Sequence, residues 1–240
     1  MALPKLNNAP KYEMKIPSSK ESVTYRPFLV KEEKVLLMAL ESKDPTNTFH
    51  ALFDTINSCV ITKNFKEHEL TPYDVEYMFL QIRAKSVGES SKIGLKCSNC
   101  ETENEVVIDL TKVEVSSKGE NESDIIKLND DISLKMKTIS FKDAVLTGEK
   151  NKDLSEIDQI MKILAQCMDS VMTADASHKL SDESEEEVIE FIESLSSQQF
   201  EKIKDWVENI PQLRHNIKFK CKECGTDNER EVTGITNFFS

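Results

Sequence analysis

Only six glycines occur in 240 residues, and that scarcity excludes much. A loop that cradles phosphate needs clustered glycines so that backbone amides can approach the anion. No such cluster is present, and neither a Gly-x-Ser-x-Gly elbow nor a His-Glu-x-x-His pair occurs. The four histidines, His50, His68, His178 and His215, are scattered, and the plentiful carboxylates single out no acid and base. These absences argue against an enzyme. Aromatics make up 7% of the chain, with a single tryptophan. No apolar run approaches the roughly 20 residues that span a bilayer, and Met1 to Asn8 lacks the apolar core of a secretory signal. A membrane protein and a secreted disulfide scaffold are therefore not expected.

Positive charge is also short. The formal charge is −12. Residues 1–100 carry 14 basic and 12 acidic side chains, and residues 101–240 carry 17 basic and 31 acidic, a net −14 for that part. Such a surface opposes phosphate backbones, so nucleic acid is not an expected partner.

Against these absences stands one repeated pattern. Cys97-Ser98-Asn99-Cys100-Glu101-Thr102-Glu103-Asn104-Glu105 and Cys221-Lys222-Glu223-Cys224-Gly225-Thr226-Asp227-Asn228-Glu229 are each a pair of thiols two residues apart, followed by Thr, an acidic residue, Asn and Glu. Alternating segments precede and β-prone segments follow both copies, so each reads as a hairpin with a thiol knuckle at its turn. Two intervening residues let both sulfurs of a knuckle face one ion while turn amides offset the thiolate charge. Tetrahedral closure needs a second pair, and the chain supplies one matched pair. The expectation is a structural Zn2+ held by Cys97, Cys100, Cys221 and Cys224, whose four thiolates leave no position for a catalytic water.

Competing readings are weaker. A redox dithiol belongs at a helix N-terminus after a strand, and neither copy is followed by helical sequence. His215, six residues before Cys221, could replace a thiolate but reads better as an ordinary surface or strand-edge histidine. Cys59 and Cys167 fall in apolar helical patterns and read as core thiols.

Helical periodicity places helices over Lys31 to Ser42, Asn47 to about Val60, from Thr71-Pro72 onward, and from Leu154 to Met172 as about five turns. Thr71 is a natural N-cap with Pro72 in the first helical position. Asp182 to Glu187 reads as an acidic helix start, and Ser196 to Gln199 as a capping box before Phe200, Ile203, Trp206 and Val207. Trp206 is expected as a core anchor. Ile125 to Leu128 and Ile132 to Thr138 suggest a further hairpin, preceded by a polar loop from Lys112 to Ser123. Ile235, Phe238 and Phe239 are expected to pack back on the chain.

The stretch Tyr25 to Ser42, the pairs Cys97/Cys100 and Cys221/Cys224, and the closing Gly234-Ile235-Thr236-Asn237-Phe238-Phe239 resemble the baseplate hub proteins of T-even-type contractile-tailed phages. The resemblance runs over most of the chain, with the intervening helical region matched only in general character. It implies a component of the tail baseplate hub, or a factor that helps the hub assemble. Its partners would be other hub or tail proteins and its place the virion tail baseplate, after assembly in the host cytoplasm. A transient assembly chaperone shares every feature above. A zinc-ribbon nucleic-acid-binding module is a second alternative, disfavoured by the acidic charge.

The combined expectation is a non-enzymatic α+β protein. An extended arm (1–26) leads to a helical N-terminal part (27–90), and two zinc-knuckle hairpins (91–111 and 212–235) form a split zinc ribbon. Between them lies an inserted hairpin and helical bundle (112–211), and a short tail (236–240) closes the chain.

Overall fold

A computed structural model describes residues 9–42, 44–116 and 123–238. Met1 to Asn8 of the expected arm, part of the polar stretch from Lys112 to Ser123, and Phe239 lie outside the described residues. The architecture is mixed α+β, with seven α-helices and small antiparallel sheets among the described residues. They divide into two compact units, one within Met1–Ser116 and Gln212–Ser240, the other within Ser117–Pro211.

The first unit opens with β1 (Tyr12–Lys15) and β2 (Ser22–Tyr25), an antiparallel pair in which Tyr12 faces Tyr25 and Met14 faces Val23. Part of the expected arm is thus a hairpin. Tyr12, Met14 and Ile16 alternate with Glu13 and Lys15, so one face carries the apolar groups, and Met14, Ile16, Val23 and Tyr25 are buried. Helices α1 (Val30–Glu41), α2 (Pro45–Cys59) and α3 (Pro72–Ser86) follow. Arg26 ties the start of α1 to the end of α2: its guanidinium donates to Glu32 Oε1 and to the Ser58 carbonyl, each at 2.9 Å. Burial pushes the Glu32 carboxyl up, but hydrogen bonds from Arg26, the Leu29 amide and Lys31 outweigh it and leave the pKa lowered.

Thr71 caps α3 in a capping box with Asp74. Asp74 is fully buried and its carboxylate gathers four donors: the amide and hydroxyl of Ser18 at 2.9 and 2.6 Å, and those of Thr71 at 2.9 and 2.6 Å. One acid therefore fastens the turn of the β1–β2 hairpin to the start of α3. Beyond α3 come β3 (Ser90–Lys96), β4 (Glu103–Asp109) and the short β5 (Glu114–Ser116).

In the second unit, β6 (Ile125–Lys127), β7 (Ser133–Met136), α4 (Phe141–Lys150), α5 (Glu156–Cys167), β8 (Met168–Met172), β9 (Ser177–Lys179), α6 (Glu185–Glu193) and α7 (Ser197–Glu208) succeed one another. The strands form one antiparallel sheet in the order β6-β7-β8-β9. The expected helical bundle is accordingly an α+β unit, and the expected five-turn helix from Leu154 to Met172 stops at Cys167. Leu164, Met168 and Val171 keep a helical spacing, but five residues are too few to separate a period of 3.6 from one of 2. Pairing with β7 on one side and β9 on the other decides for strand. Each of the four helices starts on a serine whose hydroxyl accepts an amide in the first turn: Ser140, Ser155, Ser184 and Ser196. Leu134, Met136, Leu164, Met168, Val188, Ile192, Ile203 and Trp206 form the buried core. Trp206 is a core anchor, and Cys167 a core thiol whose pKa burial pushes up to about 11.

The chain then returns to the first unit as β10 (Gln212–Lys220) and β11 (Asp227–Thr233), and β10 also pairs with β5, Gln212 facing Ser116. A 3-10 turn, Ile235–Phe238, closes the described chain against α3 and β3, with Ile235 and Phe238 buried as expected. Replacing Asp74 leaves the buried Thr71 donors unmatched and releases the exposed Ser18 from the start of α3. Asp74→Ala should lower stability by roughly 3 kcal/mol, read as an earlier urea unfolding midpoint; an unchanged midpoint would remove Asp74 as the fastening point.

Candidate metal centre

Two hairpins carry the site, and their registers match. In the first, Lys96 faces Glu103, Leu95 faces Asn104 and Gly94 faces Glu105. In the second, Lys220 faces Asp227, Phe219 faces Asn228 and Lys218 faces Glu229. The knuckles repeat the same backbone bonds. Cys97 N donates to Thr102 O at 3.0 Å and Glu101 N to Cys97 O at 3.1 Å; Cys221 N donates to Thr226 O at 2.9 Å and Gly225 N to Cys221 O at 3.0 Å. To close this turn the residue after the second cysteine adopts a left-handed backbone, with φ of 56° at Glu101 and 71° at Gly225.

These turns bring the four sulfurs of Cys97, Cys100, Cys221 and Cys224 within 4.8 Å of one another. Cys97 to Cys224 and Cys100 to Cys221 are 3.6 Å, and Cys100 to Cys224 is 3.4 Å. These spacings are far beyond a disulfide bond of about 2.05 Å. They approach the edge of a tetrahedron of sulfurs set about 2.3 Å from a central ion, which is about 3.8 Å. The cluster can therefore hold a metal ion, and its all-sulfur donor set suits soft or borderline cations. Cys97 and Cys221, one from each hairpin, are buried, while Cys100 and Cys224 are exposed.

Local hydrogen bonds prepare thiolate character. The Thr226 hydroxyl and amide, followed by the contact with Cys100, hold the Cys224 thiol at about 5. Cys97 is lowered by the amides of Cys100 and Asn99. At Cys100 the Thr102 hydroxyl pulls downward, but the sulfurs of Cys224 and Cys221 together with desolvation leave that thiol raised. A cluster of like-charged thiolates is what a cation relieves.

Asn104 and Asn228, whose role the repeat alone does not disclose, cross between the hairpins. Asn228 Oδ1 accepts from the Ser98 amide and hydroxyl, each at 2.8 Å, and its Nδ2 donates to Cys97 Sγ at 3.5 Å. Asn104 Oδ1 accepts from the Lys222 amide at 2.9 Å, and its Nδ2 lies 3.7 Å from Cys221 Sγ. His215 lies in β10 opposite Val232, outside the thiol cluster. Cys59 is a buried core thiol at the end of α2, its pKa pushed up to about 11 by burial.

From residue 9 to residue 240 the chain matches the family model described as T4 bacteriophage base plate protein. The chain belongs to this baseplate family. No curated protein and no solved structure matches it. Membership in a baseplate family implies contacts with other tail proteins. Among the described residues no helix is long and apolar enough to cross a membrane.

The left-handed position gives the two knuckles of this baseplate protein opposite responses. A β-carbon at Gly225 would meet only Lys220 Cε, at 3.8 Å, so the cost of Gly225→Ala is conformational, about 1 kcal/mol. Glu101→Gly relieves the same strain, less the extra entropy of an unfolded glycine, for a gain of roughly 0.5 kcal/mol. Thermal unfolding should move down for the first and up for the second; a shift of both in one direction would contradict the shared turn geometry.

Proposed function

We propose that this chain is a non-enzymatic structural component of a phage tail baseplate hub. It makes protein–protein contacts there and carries a structural Zn2+ on Cys97, Cys100, Cys221 and Cys224. The observation that carries the metal half is the closed, all-thiol cluster: four thiolates fill a tetrahedron, favour zinc, and leave no open position for substrate or water. On this reading β3–β4 and β10–β11 are the halves of a split zinc ribbon, and residues 117–211 are an insertion between them.

The hub half rests on family membership and on surfaces suited to neighbours. Val30, Leu37 and Met38 on α1, and Ile157 and Ile160 on α5, expose apolar side chains that a chain working alone gains little from exposing. Residues 117–211 hold 11 basic and 22 acidic side chains, a net −11 that favours basic protein partners over nucleic acid. Zinc adds rigidity at the tips, where two short hairpins bury little apolar surface.

Quantitative mass spectrometry of purified tails against the tail-tube protein tests the hub assignment. A fixed, small copy number per tail is the expected result. Abundance in infected-cell lysate with absence from tails would overturn it and make the chain a transient assembly factor.

A further inference from the structure

The asparagine shared by the two cysteine repeats is not a metal ligand, yet it is among the most buried polar residues of the chain. Asn104 and Asn228 are 4% and 5% exposed, and each stands four residues after the second cysteine of its own knuckle. Asn228 makes three of its four side-chain contacts to the opposite knuckle and Asn104 two of four. Besides a bond to the carbonyl of Thr102 or Thr226, in the turn just before its own strand, at 2.8 and 2.9 Å, each spends its remaining contacts largely on the opposite knuckle. Only a long 3.5 Å approach of Asn104 Nδ2 to Leu95 O adds to the local set.

We propose that Asn104 and Asn228 form a reciprocal clasp that docks the two knuckles on each other without metal and aims Cys97 and Cys221 into the site. The carboxamide is suited to this because it is donor and acceptor at once. Its Oδ1 must face the amide N–H of Ser98 or Lys222, because Nδ2 turned there would set donor against donor. That orientation leaves Nδ2 pointing at the sulfur of the cysteine just before, where an N–H stabilises a thiolate. The two bonds link residues 130 and 118 positions apart. The long loop is thereby closed by protein groups, and the ion meets knuckles already in place. The two sulfurs so held are the buried pair, one from each hairpin, while Cys100 and Cys224 face solvent, the side from which an ion arrives.

Asparagine and aspartate separate the two duties of these positioning residues. Aspartate keeps the Oδ1 acceptor but sets an oxygen, and a negative charge, against the sulfur. Leucine removes both functions at similar size. The metal-aiming duty rests on the zinc reading above, whereas the docking duty does not.

The test is residue-level amide hydrogen exchange on the full chain, reduced and stripped of metal by a chelator, together with zinc affinity measured by competition with a chromophoric chelator. The expected result is that the Ser98 and Lys222 amides stay protected in the metal-free wild type. The paired variant Asn104→Asp with Asn228→Asp should keep much of that protection and bind zinc about tenfold or more weakly. The pair Asn104→Leu with Asn228→Leu should lose both. Free exchange at Ser98 and Lys222 in the metal-free wild type would overturn the docking. Zinc affinity within twofold of wild type in the aspartate pair would overturn the aiming. If the wild type takes up no zinc, the aiming falls with the metal reading, and protected Ser98 and Lys222 amides still support the docking.

Discussion

Four sulfurs from segments 121 to 127 residues apart meet at contact distance, and the first unit is organised around bringing them there. Each knuckle is short and gains little from its own burial. What aligns them is the scaffold behind: β3–β4 on one side, β10–β11 with β5 on the other, and α3 touching β5, β10 and the closing 3-10 turn. Leu110, Val113, Leu213 and Phe238 are buried in this unit, so the ladders converge on an apolar base while the thiols sit at their tips. The paired hairpins are stabilised from below by the hydrophobic effect and joined at their tips by hydrogen bonds, where the four-cysteine cluster can hold a metal ion.

This arrangement explains how a chain can hold so long an excursion between the halves of one site. Ser116 and Gln212 face each other across β5 and β10, so the strand that leaves and the strand that returns lie side by side. Loop closure cost grows only slowly with length, and the segment beyond carries its own core around Leu134, Ile203 and Trp206. A separately packed segment places little demand on the two hairpins.

The thiol cluster was legible because a repeated Cys-x-x-Cys carries its geometry in its spacing, and α3, α6 and α7 because Thr71, the acidic stretch from Asp182 to Glu187, and Ser196 announce their starts. Other elements were hidden for physical reasons. The β1–β2 hairpin has only four residues per strand and gains its burial by packing beside Asp74, a partner 56 residues away from Ser18. Helix α4 begins on Ser140 with Asp143, a real cap, but it is only ten residues long and Gly148 interrupts it. The end of α5 depended on strands elsewhere in the chain, as tertiary pairing overrode local period. The asparagines were visible as a repeat, yet their reach across to the opposite knuckle exists only once the hairpins are juxtaposed.

The most direct test of this account is zinc K-edge X-ray absorption on the purified, reduced protein. A single shell of four sulfurs at about 2.3 Å is the result the structure leads to. A mixed nitrogen, oxygen and sulfur shell, or failure of the protein to retain zinc when offered it, would contradict the claim that these four cysteines close one site.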